Sequence, residues 1–394
     1  MVGEESPGSG LSSTLIFTGW GDTDGVKITF AAIPAFGHIY PLMPLALACR
    51  AIGHDVVVAC GPPFVDNLPL STVLNQPAEL SVWRAGRLAM QRLADSERAT
   101  GIPGPRPGSL EFEVDIFANT LAPQARSTLR EQWSANPPNL VVWESINVGA
   151  AQAAHDLGIR AVPFAITLTG AYTPALLEAA GLDRPDSVID PFPPGWRLND
   201  APVGRDRVDI QTTAWNQPAT VPPGWSDPRR RRPRIYVTLG TAARAWGGLG
   251  ALRKVIAEAG VLDADVLVAA ESIGDGPLLD DLPLNVHVER FVDQAVVVPH
   301  ADVIVHHGGT GTLMAAFAAG VPQVIIPLGS DQFINAERVI GLKLGQVVPT
   351  DADEGAVTSA IHRVLDGSLD CSGAYAIRDQ IGSAPTPLEV ASQL

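Results

Sequence analysis

The alternation of apolar and polar stretches becomes regular at Val26. From there to Pro34 the chain is largely apolar and β-branched and is bounded by turn residues, the pattern of a parallel strand buried on both faces. A turn over Ala35 to His38 leads to apolar positions at helical spacing from Pro41 to Ile52, with Gly53 as a C-cap, and a second strand follows over His54 to Cys60. The same alternation returns as a strand at Leu140 to Trp143, a small-residue helix near Gly149 to Leu157, and a strand at Arg160 to Ile166. One open α/β sheet thus accounts for residues 26 to about 180.

Between Asp183 and Pro233 repeated prolines break any regular element, which predicts irregular cover and a linker. Strands then resume at Arg234 to Leu239, Val266 to Ala270, Val286 to Val288, Val303 to His306 and Gln323 to Pro327, with helices between them. The pattern predicts an α/β protein of two doubly wound domains, at 26–215 and 234–375, joined by a linker at 216–233. Turn formers dominate residues 1–25, read as a flexible N-terminal tail, and residues 376–394 are read as a helical segment that packs back toward the first domain. Ligands of such sheets bind at the carboxyl ends of the strands, so the interdomain cleft is the expected site.

Composition narrows the chemistry. Among 394 residues, 27 Lys and Arg against 42 Asp and Glu leave a net charge of −15, which disfavours a nucleic-acid or anionic-membrane partner and requires any nucleotide to be held by a specific pocket. The cysteines Cys49, Cys60 and Cys371 are odd in number and lack metal-ligand spacing, so neither a disulfide framework nor a metal centre is expected. With no basic-flanked apolar leader and no long apolar run, the expectation is a cytoplasmic protein with no integral membrane segment. Assembly, including a homodimer, is left open by the sequence.

The densest chemistry lies in V-I-V-H-H-G-G-T-G-T, from Val303 to Thr312. A strand ends at His306, His307 enters a turn of Gly308, Gly309, Thr310 and Gly311, and a helix opens over Thr312 to Ala319. Free amides at a helix start, approached closely because of glycine, suit a diphosphate, and His307, Thr310 and Thr312 can add side-chain donors. His306 reads as a side chain packed beside the strand. Asp331 and Gln332 follow the next strand and place a carboxylate and an amide where polyol hydroxyls can be bridged. In the first half, His38 sits in F-G-H-I-Y-P directly after the first strand, at a position open to two readings, a general base or a capping residue.

Together, the His pair, the glycine turn and Asp331-Gln332-x-x-Asn335 resemble the nucleotide-sugar signature of family 1 glycosyltransferases, enzymes of the GT-B fold built from two Rossmann-like domains. Arg290-Phe291-Val292-Asp293-Gln294, with His300 downstream, matches the start of that signature, although the plant-type form has Trp where Phe291 stands and Pro where Asp293 stands. The H-H-G-G-T-G-T form and Thr238-Leu239-Gly240-Thr241 look more like the actinobacterial natural-product branch, of calicheamicin, macrolide and aromatic polyketide type, whose donors are often dTDP-deoxysugars.

The resemblance implies a donor site of Phe291, Val292 and Gln294 around base and ribose, His307 with Gly308 to Thr312 on the diphosphate, and Asp331 and Gln332 on the sugar. Thr241 reads either as a phosphate ligand or as a helix N-cap. It further implies that His38 is the catalytic base. Glu144 stands where many members carry an Asp partner, and reads as that partner or as a surface or acceptor contact. The implied activity is inverting, metal-independent transfer of a deoxyhexose from dTDP- or UDP-sugar to a lipophilic aglycone, with no resident cofactor. Trp83, Met90, Phe112, Ile116, Phe117, Thr167, Thr169 and Tyr172 are candidates for the acceptor pocket, each equally readable as core. Arg229 to Arg232 with Arg234 read as a solvated linker. A GT-B nucleotide-sugar epimerase and a catalytically silent helper subunit are the alternative functions.

Overall fold

The computed structural model describes residues 25–101, 109–167, 172–197, 206–240, 248–270 and 281–394, and contains two all-parallel sheets flanked by helices. Thr169, Thr241 and residues 1–24 of the expected tail over 1–25 lie outside the described residues. The first sheet is formed by β1 (Lys27–Ala31), β2 (Asp55–Cys60), β3 (Ser71–Leu74), β4 (Leu140–Glu144), β5 (Arg160–Phe164), β6 (Ser187–Asp190) and β7 (Asp206–Asp209), in the spatial order β3-β2-β1-β4-β5-β6-β7. The second contains β8 (Arg234–Thr238), β9 (Asp265–Ala269), β10 (Val286–Glu289), β11 (Val303–His306), β12 (Gln323–Ile325) and β13 (Gly345–Val347), ordered β10-β9-β8-β11-β12-β13.

Helices of the first domain are α1 (Phe36–Ile39), α2 (Met43–Ala51), α3 (Val82–Thr100), α4 (Leu110–Val114), α5 (Ala122–Ala135), α6 (Val148–Asp156) and α7 (Thr173–Ala179). Those that follow the second sheet's strands are α8 (Leu249–Gly260), α9 (Gln294–Val297), α10 (Thr310–Ala319), α11 (Gln332–Gly341), α12 (Ala356–Leu365), α13 (Ser372–Gly382) and α14 (Pro387–Ala391). None of the described helices is long and apolar enough to cross a membrane.

Three expectations need correction. Residues Ala35 to His38 are not a free turn: α1 starts at Phe36 and runs through a 3-10 turn over Tyr40–Leu42 into α2. The stretch after Asp183 is not wholly irregular, because β6 and β7 extend the first sheet and pair in parallel from Ser187 opposite Asp206 to Asp190 opposite Asp209. Arg234 is not solvated: it is buried at the start of β8, donates to the carbonyls of Gly224 and Asp227, and lies over the Trp225 ring. Arg229, Arg230 and Arg232 keep to the surface, where they pair with Asp227, Asp302 and Asp263.

Each sheet reverses its order between two central strands, and that is where the site is built. In the first sheet Ala31 of β1 lies opposite Trp143 of β4, so the segment that leaves β1 with His38 emerges beside the end of β4 at Glu144. In the second, Thr238 of β8 is in register with His306 of β11, which sets Gly240 beside His307.

A continuous apolar cluster joins the two halves. Ala165, Val188, Phe192 and Trp196 from the first pack with Leu313, Met314, Phe317, Ala336, Val339 and Ile377 from the second. Trp196 is fully buried against Phe317, and Arg338 lies over its indole while donating to the carbonyls of Gly195 and Arg197. The chain then returns: α13 accepts the Gly195 amide on Gln380, and α14 packs on α2, where Val390, Ala391 and Leu394 enter the core of the first domain.

Candidate active site

His38 lies in α1, whose N-cap Ala35 is extended and supplies no side-chain cap. Its Nδ1 lies 3.0 Å from Oε1 of Glu144, the last residue of β4, whose carboxylate is fully buried. Glu144 Oε2 accepts the Ile146 amide at 2.9 Å, and Oε1 is 3.4 Å from the Ile33 amide, so backbone donors hold the acceptor end in place. The hydrogen-bond pattern assigns the proton on Nδ1 to Glu144 and leaves Nε2 as the free base nitrogen. The extra methylene of Glu, relative to Asp, does not separate the pair, and the structure brings the two residues together.

Across the cleft, α10 begins at Thr310 with Gly309 as N-cap, and no side chain occupies its first amides. A helix start of this kind attracts anions. His307 sits at its lip in a slot made by two glycines. A Cβ built on Gly309 would fall 2.2 Å from His307 Nε2, and one on Gly240 would fall 2.6 Å from Cε1, so neither position accepts a side chain while the ring stays in place. Burial pushes the His307 imidazole down to about 4, which keeps it neutral near pH 7. Its Nδ1 is buried without a hydrogen-bond partner among the described residues. His306 is structural: Nδ1 accepts the Gly308 amide at 3.1 Å and Nε2 bonds Gln323 Oε1 at 2.8 Å.

Other donor-site candidates divide by what they already bond. Thr310 Oγ1 donates to Asp331 Oδ2 at 3.1 Å, so its hydroxyl proton serves the carboxylate while its backbone amide stands at the helix start. Asn335 Nδ2 donates to the Gly308 carbonyl at 2.9 Å and reaches the same Asp331 oxygen at 3.3 Å. Gln332 Oε1 accepts the amides of Leu328 and Gly329, which leaves its NH₂ as the group it can offer the cleft. Thr238 turns its hydroxyl inward to accept the Gly240 amide. Thr312, Gly311, Gln294 and Phe291 line the cleft, and the Phe291 ring reaches across to Phe36 with centroids 5.5 Å apart. Val292 borders the cleft, but its side chain belongs to the core around Trp225 and Tyr236.

Between the two half-sites lies a cavity of about 930 Å³, large enough for two small molecules end to end. Trp83, Met90, Phe112, Ile116, Phe117, Thr167 and Tyr172 line its first-domain wall, with Trp83 and Met90 turning exposed apolar surface into it. The Phe117 ring stands 6.0 Å from the His38 ring.

The chain resembles known proteins along nearly its whole length. Residues 253–394 match the model of the erythromycin biosynthesis protein CIII-like C-terminal domain. The L-demethylnoviosyl transferase of Streptomyces niveus is 28% identical over 393 residues, covering 94% of this chain and 97% of the relative. The 3-alpha-mycarosylerythronolide B desosaminyl transferase of Saccharopolyspora erythraea is 26% identical, covering 93% and 96%. The crystal structure of the glycosyltransferase SnogD from Streptomyces nogalater superposes with a TM-score of 0.72 at 25% identity, over 94% of this chain and 98% of that one. The chain is a glycosyltransferase, similar over nearly its whole length to enzymes named for natural-product pathways.

Its fold is GT-B. Sequence reasoning about this glycosyltransferase missed a polar group at the centre of its cleft. Glu113 of α4 is buried, accepts a hydrogen bond of 3.0 Å from Ser330 of the opposite domain, and is pushed up to about 7, chiefly by burial. One signal was present: Phe112, Glu113, Ile116 and Phe117 recur at helical spacing, so a carboxyl shares an otherwise apolar face. Tyr40 and Trp215, rings 4.9 Å apart, were missed as cleft-lining aromatics, because nothing in local spacing brings them together.

Proposed function

We propose that this glycosyltransferase moves a hexose, and in particular a deoxyhexose, from an NDP-sugar to a hydroxyl of a lipophilic natural-product aglycone, with inversion and without a metal ion. The observation that carries the reading is the pairing of His38 with buried Glu144 at 3.0 Å, facing an uncapped helix start across the cleft. A hydroxyl is a weak nucleophile. His38 Nε2 would take its proton as the oxygen forms the new bond to the anomeric carbon, and Glu144 would stabilise the imidazolium that results, as in triad logic.

The bond from the anomeric carbon to the diphosphate oxygen breaks in the same step. Negative charge grows on the leaving diphosphate, where the first amides of α10 and neutral His307 are fixed donors that need no reorganisation. With base and leaving-group site on opposite walls, attack is in line and the configuration inverts. The same donors do for the diphosphate what a bound cation does elsewhere, which supports metal independence. Asp331 and the Gln332 amide would read sugar hydroxyls, and the apolar wall from Trp83 to Tyr172 would hold the aglycone.

For the nucleotide we favour dTDP over UDP. A relative in structure, SsfS6 of Streptomyces sp. SF2575, at TM-score 0.74 and 24% identity over 93% of this chain and 99% of its own, is described as complexed with thymidine diphosphate. The cytoplasm, where nucleotide sugars are made, is the compartment that fits. An epimerase would have no use for the apolar half of the cavity, and a silent helper none for the His38–Glu144 pair.

Reverse-direction turnover tests the proposal. A panel of glycosylated natural products is incubated with excess dTDP or UDP, and NDP-sugar is sought by mass spectrometry. NDP-sugar formed by the wild type and lost in His38→Ala is the expected result. Sugar isomerisation without transfer, or turnover unchanged in His38→Ala, overturns it.

A further inference from the structure

Asp331 can read a sugar only if the loop that carries it is held still. Residues 326–331 connect β12 to α11, and the second domain secures them through Gln332, Thr310 and Asn335. Those contacts bracket Ser330 without touching its side chain. Ser330 has φ +54°, a left-handed backbone that disfavours any residue but glycine and persists only where the surroundings impose it.

What imposes it comes from the other domain. The Ser330 hydroxyl donates to Glu113 Oε1 at 3.0 Å, across 217 residues of sequence, and the Tyr172 phenol reaches the same hydroxyl. Glu113 sits on an apolar wall between Phe112 and Ile116, where a carboxyl is expensive to bury, and this is its one side-chain hydrogen bond among the described residues. It also lies within electrostatic reach of both His38 and Asp331.

We propose that Glu113 is a positioning residue for the donor sugar: from the acceptor wall it holds Ser330, and through Ser330 it fixes the Asp331 carboxylate. Sugar recognition is thereby completed by a group of the opposite domain, and only at the interdomain spacing that permits the Glu113–Ser330 bond. Diphosphate binding at α10 needs no such help. The inference rests on the donor site proposed above.

Calorimetric titration of the full-length protein separates the two. The dissociation constants of dTDP, dTDP-glucose and dTDP-rhamnose are measured for wild type, Ser330→Ala, Glu113→Ala and Glu113→Gln. Loss of the Glu113–Ser330 hydrogen bond predicts that Ser330→Ala and Glu113→Ala weaken the better-bound dTDP-sugar about fivefold to tenfold, with dTDP itself within about twofold of wild type. Glu113→Gln keeps a carbonyl acceptor and restores most of the sugar affinity. The double variant Glu113→Ala, Ser330→Ala is no weaker than either single one, because both remove the same bond.

Equal weakening of dTDP and dTDP-sugar, additive losses in the double variant, or Glu113→Gln as impaired as Glu113→Ala would each overturn the inference. So would sugar affinity unchanged in Ser330→Ala, a surface-loop change that leaves the core intact should Glu113→Ala fail to fold. If wild type binds neither dTDP nor any NDP-sugar, the donor site itself fails, a distinct result.

Discussion

Gly309→Ala is the substitution on which the geometry makes its sharpest demand. The backbone there, φ −66° and ψ 140°, suits any residue, so the change introduces no backbone strain. Its whole effect is a methyl group 2.2 Å from His307 Nε2. The ring must retreat by roughly 1 Å to restore ordinary contact, and it already stands so near Gly240 that a Cβ there would fall 2.6 Å from its Cε1. Overpacking of this kind costs about 1–3 kcal/mol, which for a domain of this size lowers the melting temperature by several degrees. Under the proposed mechanism a displaced His307 also no longer reaches the leaving diphosphate, and loss of one preorganised donor lowers kcat by about 10²- to 10³-fold.

The assay pairs thermal unfolding with dTDP titration and reverse-direction turnover. Gly250→Ala serves as the control. It lies in α8, where a new Cβ meets nothing within 4 Å, so helix propensity alone should hold or raise stability. A Gly309→Ala protein that melts with wild type and binds dTDP within twofold would refute the glycine slot as the determinant of His307's position.

Three further outcomes follow from the same geometry. Glu144→Gln preserves volume but removes the charge that faces His38, so turnover should fall by roughly 10²- to 10⁴-fold with dTDP affinity unchanged, and a smaller loss than tenfold would remove Glu144 from the mechanism. The raised titration of Glu113 makes its neutral form the one the fold prefers, so its contribution to stability is full below the ordinary carboxylate range and lost as pH rises through about 7. Denaturant unfolding at pH 5 and pH 8 should show wild type losing on the order of 3 kcal/mol relative to Glu113→Gln, a difference in which the opposing effect of the depressed His306 and His307 cancels; parallel curves would contradict it. Turnover in excess EDTA should match turnover without it, and a loss restored by a divalent cation would show that amides and imidazole are insufficient.

The central strands were legible because they are buried on both faces and read as unbroken apolar runs, and β11 matches its sequence reading residue for residue. The outer strands β6 and β7 were not. β6 and β7 are four residues each, carry Asp and Ser, and stand among prolines, so pairing with the sheet, not propensity, makes them strands. The phosphate turn was legible because its chemistry is contiguous: strand, His307, glycines and helix fall within ten residues. His38 and Glu144 were legible only because Glu144 ends β4 and His38 opens the first helix after β1, since 106 residues separate them. Glu113 and Ser330 have no such anchor. One lies on a helix that faces a cavity, the other in a loop, and the interdomain spacing that joins them is written nowhere in local sequence. The same holds for Trp196, whose burial depends on α10 and α11 arriving from the other half.

The return of the chain to its first domain bears on the order in which the protein is made. Val390, Ala391 and Leu394 complete a core whose other members lie before residue 211, so a ribosome must translate the whole second domain before it delivers them. Until then the face of α2 that receives α14 stands bare, an apolar surface of the kind that partly made chains bury in one another. The first domain to be synthesised is therefore the last to be closed. Chains cut short before Pro387 would lack no catalytic residue named above and would still carry the defect that matters most to their survival.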